Sequence, residues 1–327
     1  MTVKEVFDLR KQGKIEEAYE AIRPMYAVHQ GKYTTLCMFW TASDILKKRI
    51  KEKRLEEAEK IFKALLRVLP NVDDKDGKAH SSILYAAVTL SREDRNFSML
   101  DFVEQLKVEQ LSDEDWKTII APAVDGQPSH PIPSVAQQVL TSAFHELQEQ
   151  RDGDFMTRKA PRPHADVLSG CLKVMPLLQE TMRRNPRDKH NQRYMAVVYT
   201  VMDEREKAVA IYRQLLQRCH DSYLYAELAE LTDEPGPKAA LYCRAIMNQR
   251  QEKFRTGYRL ALARLLIDRD KPRAAYELQK CVETRKALGF HVTRDLERLL
   301  QQLADVQPVT EAEQQSFYQR MMKKYPN

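Results

Sequence analysis

Residues 54–70 read RLEEAEKIFKALLRVLP, and the spacing within this stretch decides the fold. Ala58, Phe62 and Leu65 follow one another at steps of four and three, which puts them on one face of a helix. The small Ala58 lets a second helix approach closely, and Phe62 fills the gap between neighbouring hairpins. Pro70 ends the run, because it has no N–H to donate and its ring clashes with the preceding turn. A second copy has Tyr199, Ala208, Tyr212 and Leu215. Looser copies centre on Ala18, with Gly13 five residues before it, on Ala239 with Cys243 and Ile246, and on Ala274 with Leu278 and Cys281. The interval is 31 residues from Ala208 to Ala239, 35 from Ala239 to Ala274 and 40 from Ala18 to Ala58. Three adjacent units over residues 187–288 are enough to bury a continuous core.

The pattern of Ala, aromatic, apolar residue and Pro resembles the tetratricopeptide repeat (TPR), a helix hairpin of about 34 residues. Departures are visible: no copy has the family's Trp at the start of its first helix, residues 234–237 (EPGP) tighten one turn, and residues 71–185 do not fit. The expected fold is an all-α, TPR-like right-handed helical solenoid of antiparallel helix pairs with an irregular helical middle. The expected division is 1–70 (N-terminal TPR-like pairs), 71–185 (irregular middle), 186–305 (C-terminal TPR-like repeats) and 306–327 (a helical tail).

The middle still reads as helical. Residues 78–93 (KAHSSILYAAVTLSRE) carry apolar residues at helical spacing, and Ser112 to Asp115 form a capping-box variant expected to open a helix over DEDWKTII. Residues 121–133 hold four prolines and are expected to form a loop ending at Ser134, a good N-cap for VAQQVLTSAFHELQEQR. A second loop is expected over residues 151–163, and Pro176 implies a kink within a helix spanning 164–184.

Composition narrows the function classes. Nine Gly in 327 residues is less than half of the roughly 7% average, which disfavours all-β folds and Gly-rich phosphate loops. Five cysteines (Cys37, Cys171, Cys219, Cys243, Cys281) are widely spread without a C-x-x-C pair, so a reducing, cytoplasmic setting is expected. No run of eighteen apolar residues suggests a membrane span. The net charge of +6 is mild, but it is unevenly spread. Residues 101–150 carry nine acids and two bases, whereas 251–300 carry twelve bases and seven acids. The bland reading is solvated helix faces with i,i+4 pairs; the sharper one is an anion-facing surface near Lys253 to Lys286.

No G-x-x-x-x-G-K, G-x-G-x-x-G, H-E-x-x-H or G-x-S-x-G occurs, so no catalytic, cofactor or metal residue is assigned and the chain is expected to be non-enzymatic. His164 and Cys171 would share a helix face, yet Cys171 reads better as a small buried hydrophobe. Asp73, Asp74 and Asp76 read as a solvated loop rather than a cation site. In TPR arrays the first helix of each hairpin lines a concave groove. Aligning on the Ala positions places Trp40, Lys47, Lys51, His190, Arg193 and Arg259 there, with Arg255 beside them. Such a basic groove would take a protein partner as a peptide or helix. The alternative is nucleic acid, bound through partners or directly by Arg255, Arg259, Arg264, Arg269, Lys271 and Arg273. The carboxylate clamp of chaperone-binding TPR proteins is disfavoured, since Lys47, Val197 and Ala263 stand where it needs Asn.

Residues 12–40, 97–117 (with FSMLDFVEQ and LSDEDWK), 190–194 and 222–255 (with SYLYAELAELTD and CRAIMNQRQEKFR) are similar to the TPR-bearing proteins of bacterial TOTE conflict systems. That resemblance implies a role in defence or mobile-element conflict beside primase, helicase and nuclease proteins. Family members typically join the TPR region to an OB-type domain, and no run of short strands is expected here, so the chain either lacks that module or continues beyond residue 327.

Overall fold

The computed structural model describes residues 1–122, 129–153 and 160–326. Residues 123–128 and 154–159, within the expected loops 121–133 and 151–163, lie outside the described residues. Among the described residues the protein is all-α apart from one two-stranded sheet, and it forms two compact units, Met1–Arg187 and Asp188–Asn327.

The first unit begins with two hairpins, α1 (Val3–Lys11) with α2 (Ile15–Val28), and α3 (Lys32–Lys51) with α4 (Leu55–Val68). It continues with α5 (Lys78–Glu93), α6 (Met99–Gln105), the strands β1 (Ile119–Ala121) and β2 (His130–Ile132), α7 (Val135–Asp152) and α8 (His164–Arg184). The second unit stacks three hairpins: α9 (Lys189–Val201) with α10 (Arg205–Leu216), α11 (Ser222–Glu230) with α12 (Pro235–Asn248), and α13 (Glu252–Leu266) with α14 (Lys271–Ala287). Two helices follow, α15 (Arg294–Gln302) and α16 (Glu311–Lys324).

The small residues sit where the spacing demands. Ala18, Ala58, Ala208 and Ala274 are fully buried and Ala239 nearly so, as are their partners Phe62, Tyr212, Leu215, Cys243, Ile246, Leu278 and Cys281. Three hairpin turns share one device: the residue five before the Ala is left-handed, Gly13 at φ +78°, Lys53 at 60° and Asp203 at 60°. In each turn the following N–H reaches back five residues to a helix carbonyl: Lys14 to Leu9, Arg54 to Arg49 and Glu204 to Tyr199. This satisfies orphan carbonyls at the end of the first helix and reverses the chain in three residues.

Charge then fastens the hairpins. The Arg49 side chain on α3 is only 10% exposed; it donates to both Glu16 carboxylate oxygens at 2.6 and 2.8 Å and to Glu57 at 3.0 Å, tying α2, α3 and α4 together. In the second unit Arg205 donates to the Leu231 carbonyl, and Arg193 on α9 forks onto Glu227 of α11 at 2.6–3.0 Å. The C-terminal helix α16 packs on α12. Arg244 donates to the Met322 carbonyl at 2.6 Å, and a Cβ at Gly236 would overlap the Tyr325 phenol. Residues 234–237 therefore leave room for that ring.

The middle is helical, and α5 and α8 have the expected bounds, with Pro176 inside α8. Ser134 caps α7 by accepting from the Gln137 N–H. One expectation fails. The capping box at Ser112 forms, but it opens only a short 3-10 turn, Asp113–Trp116. The β-branched Ile119 and Ile120 beyond it join β1, which pairs antiparallel with β2 in the register Ile119 to Ile132. Residues 130–132, expected in a loop, are thus a strand.

Two predictions follow from the turns and the clamp. Left-handed backbone costs an L-residue about 1 kcal/mol, so Asp203→Gly is expected to raise the unfolding free energy by about 0.5 kcal/mol in denaturant titrations, whereas Asp203→Val lowers it. The Arg49 hydrogen bond, opposed by desolvation and reinforced by Lys48, holds the Glu16 carboxyl at about 2, well below its usual 4.5. Glu16 thus contributes stability that is complete above pH 4.5 and is lost as pH falls toward 2. Its side chain is 43% exposed, so the contribution is discounted for solvent screening. Glu16→Gln is expected to cost about 0.5–1 kcal/mol at pH 7 and almost nothing at pH 2 by thermal melts.

Candidate partner-binding groove

Helix α3 is the first helix of the second hairpin, α5 packs beside it, and a cavity of about 800 Å³ opens between them. Its floor is apolar, built from Leu46, Ile50, Leu65 and Ile83. Trp40, Lys47 and Lys51 line the α3 side, two turns and then one turn apart, and Tyr85 and Lys78 line the α5 side. Trp40 is partly exposed; it packs edge-on against Phe39 with ring centroids 5.2 Å apart and lies beneath the Arg10 guanidinium at 5.9 Å. Arg10 is itself paired with Asp44. The two contacts fix the indole on one face of α3.

Two features distinguish this groove from an ordinary crevice. Among the described residues, neither Lys47 nor Lys51 has a carboxylate partner, although Lys53 pairs with Glu93 and Lys78 with Asp76 on the same rim. Ser43, 3% exposed, also lines the groove, and its buried Oγ has no hydrogen-bond partner among the described residues. A buried hydroxyl without a partner costs free energy unless something supplies one.

The other expected groove residues lie in the second unit, and their environments differ. His190 is exposed at the start of α9. Arg193, besides holding Glu227, lies over the Tyr223 ring at 4.9 Å. Arg255 donates to the Gln249 carbonyl at 2.6 Å and to Glu252 at 2.8 Å. Arg259 does not face a groove: its side chain is 5% exposed and donates to the fully buried Glu277 at 2.8 Å, to Glu252 at 2.9 Å and to the Tyr318 hydroxyl at 3.1 Å. Tyr318 and Gln314 of α16 donate in turn to Glu277. Arg259 is a structural ion at the seat of α16. Of the remaining arginines in the nucleic-acid alternative, Arg264 pairs with Asp295 and Arg273 with Asp270, which leaves Arg269 and Lys271 as its cations without a described carboxylate partner.

A larger cavity of about 1490 Å³ in the first unit is lined by polar residues from α6, α7, α8 and β2. Several of its charged groups are engaged internally. Glu146 accepts from Ser98 and the Leu100 N–H at 2.9 and 3.0 Å, and Lys173 pairs with Asp101 and Glu104. Nor does a thiol nucleophile emerge: Cys171 is buried and burial pushes its thiol up to about 11, away from the reactive thiolate. Asp73 pairs with Lys32, and Asp74 binds the Ala79 and His80 N–H groups and the His80 ring. No cluster of three metal-ligating side chains occurs among the described residues, and no described helix is long and apolar enough to cross a membrane.

Trp40, Lys47 and Lys51, expected to line a groove, border this cavity, whereas Ser43 and the α5 wall were not among the expected residues. Residues 78–93 were legible as a helix, yet they stand outside the repeat spacing, so nothing aligned Tyr85 with the groove face.

A family model described as a domain of unknown function, DUF7017, matches residues 191–324, nearly the whole second unit including α16. No curated protein matches. Among solved structures the chain is similar to a tetratricopeptide repeat protein from Parabacteroides merdae, with 12% identity, 92% of this chain and 97% of that one covered, and a TM-score of 0.38.

Burial sorts the thiols. Cys37, Cys171, Cys243 and Cys281 are buried and Cys219 is half-buried. Native-state labelling with a thiol reagent, read by peptide mass spectrometry, is expected to modify Cys219 first and to leave Cys171 untouched. Fast labelling of Cys171 would reinstate thiol chemistry.

Proposed function

We propose that the chain is a non-enzymatic, TPR-like helical scaffold that captures a segment of a partner protein in the groove between α3 and α5. The observation that carries this reading is the joining of an apolar floor, the Trp40 and Tyr85 rings, two cations without carboxylate partners and the unpartnered Ser43 hydroxyl in one cavity. The captured segment has matching chemistry: an apolar anchor for the floor, acidic flanks for Lys47 and Lys51, and a polar group, such as a backbone carbonyl, to accept from Ser43. Aromatic anchors supply most of the affinity in such sites, and rim charges chiefly set the on-rate and the choice of partner.

The resemblance to TPR-bearing proteins of TOTE conflict systems supports a cytoplasmic partner within an assembly that acts on nucleic acid.

Pull-down from native lysate after nuclease treatment, with the wild-type chain beside a Trp40→Ala, Lys47→Glu, Lys51→Glu variant, tests the reading. A defined protein retained by the wild type and lost from a variant of unchanged melting temperature is expected. Equal retention by both would sink it. With the bound segment as a peptide, Ser43→Ala is expected to weaken affinity by roughly 0.5–1.5 kcal/mol while leaving unfolding stability nearly unchanged, because no internal hydrogen bond is lost.

A further inference from the structure

The basic run from Lys253 to Lys286 is not absorbed by the groove. Most of its arginines are bound internally, yet one end of the α13/α14 hairpin is different. The two helices are antiparallel, so the start of α13 lies beside the end of α14, and the Cys281 thiol bonded to the Thr256 carbonyl at 3.4 Å fixes that alignment. Three large apolar side chains stand exposed at this end: Phe254 at 53%, Leu288 at 44% and Phe290 at 48%. Gly289, at φ +71°, turns the chain after α14, and the Phe290 N–H bonds back to the Arg285 carbonyl at 2.9 Å, so Phe290 is tethered at the helix end.

Exposed cations accompany the rings. Among the described residues, Arg250, Lys253 and Lys286 have no carboxylate partner, and Lys253 lies over the Phe254 ring at 4.7 Å. The nearby acids are already engaged, Glu252 with Arg255 and Arg259, and Glu283 with Lys280. This end of the hairpin therefore carries unpaired cations together with two exposed aromatic rings, one of them directly beneath Lys253.

We propose that this hairpin end binds single-stranded nucleic acid, with Arg250, Lys253 and Lys286 contacting phosphates and Phe254 and Phe290 stacking on bases. Two chemistries must be met at once, and a single strand offers both. Every base has a π-face, so ring stacking needs no sequence preference, and the phosphates that join the bases would meet the cations of the same hairpin end. The site is separate from the groove of the first unit, so this inference does not rest on the partner-capture reading.

The test is fluorescence anisotropy of labelled oligouridine RNA of about 20 nucleotides, and of the matching single-stranded DNA, with the full chain. It compares the wild type with Phe254→Ala/Phe290→Ala, Lys253→Glu/Lys286→Glu and Trp40→Ala. Since the four substituted residues of the hairpin are exposed, the fold is expected to survive, and circular dichroism with thermal melts checks that it does. The expected result is saturable binding that falls steeply between roughly 50 and 200 mM salt. The Phe and Lys double variants are each expected to weaken it at least tenfold, and Trp40→Ala to leave it unchanged. Absence of binding at low salt would overturn the proposal. So would unchanged affinity of the Phe variant, which would leave only a non-stacking polyanion surface. Binding to phosphatidylserine vesicles or polyglutamate that depends on Phe254 and Phe290, where binding to RNA does not, would assign the surface to a membrane or to acidic protein instead.

Discussion

Two helices can lie only as close as the bulkiest residue at their crossing permits, and the rest of this protein depends on that limit being set by alanine. With Ala18, Ala58, Ala208, Ala239 and Ala274 at the crossings, the second helix of each pair sits against the first. The large side chains one turn along, Phe62 and Tyr212 among them, then project into the gap before the next pair. A larger residue at the crossing would push the helices apart and open voids along the stack, because each pair contacts its neighbours through the same faces. The groove between α3 and α5 lies where the second hairpin meets the irregular middle, and it stays open where the exposed faces of the two helices diverge.

Short-range spacing transferred well to the structure, whereas the state of a charge did not. The Ala–aromatic pattern placed the repeat helices and the N-cap rule placed Ser134, while of the cysteines expected at packing positions Cys171, Cys243 and Cys281 are buried and Cys219 only half so; each signal depends on residues within a turn or two of one another. Whether an arginine faces solvent depends on residues far away in sequence. Arg259 meets Glu277 eighteen residues on and Tyr318 fifty-nine residues on, and nothing within its own helix signals either. Arg49 similarly finds Glu16 thirty-three residues back. The basic second half therefore overstated the cationic surface, which among the described residues is kept by a few arginines and lysines such as Arg250, Lys253, Arg269, Lys271 and Lys286.

The strands show the opposite limit. Ile119 and Ile120 follow a well-formed capping box, and the box alone suggests a helix. Local polar signals start a turn, but β-branched residues with a partner segment nearby decide what comes after it. In the groove, Trp40, Lys47 and Lys51 were legible from their own helix, whereas Ser43 acquires meaning only from the α5 wall opposite and the missing partner of its Oγ.

The seat of α16 has a consequence for the order of assembly. Arg259 and Glu277 belong to one hairpin, so they are adjacent as soon as it closes, but the groups that complete the carboxylate's shell, Gln314 and Tyr318, lie thirty-seven and forty-one residues beyond Glu277. As the chain leaves a ribosome, the three hairpins of the second unit can stack in turn from local contacts alone, each emerging behind the last. Until α16 emerges, one face of that stack carries a carboxylate open to water and an apolar strip awaiting Phe317 and Tyr318. Closure of that face of the second unit therefore waits on the last helix to emerge.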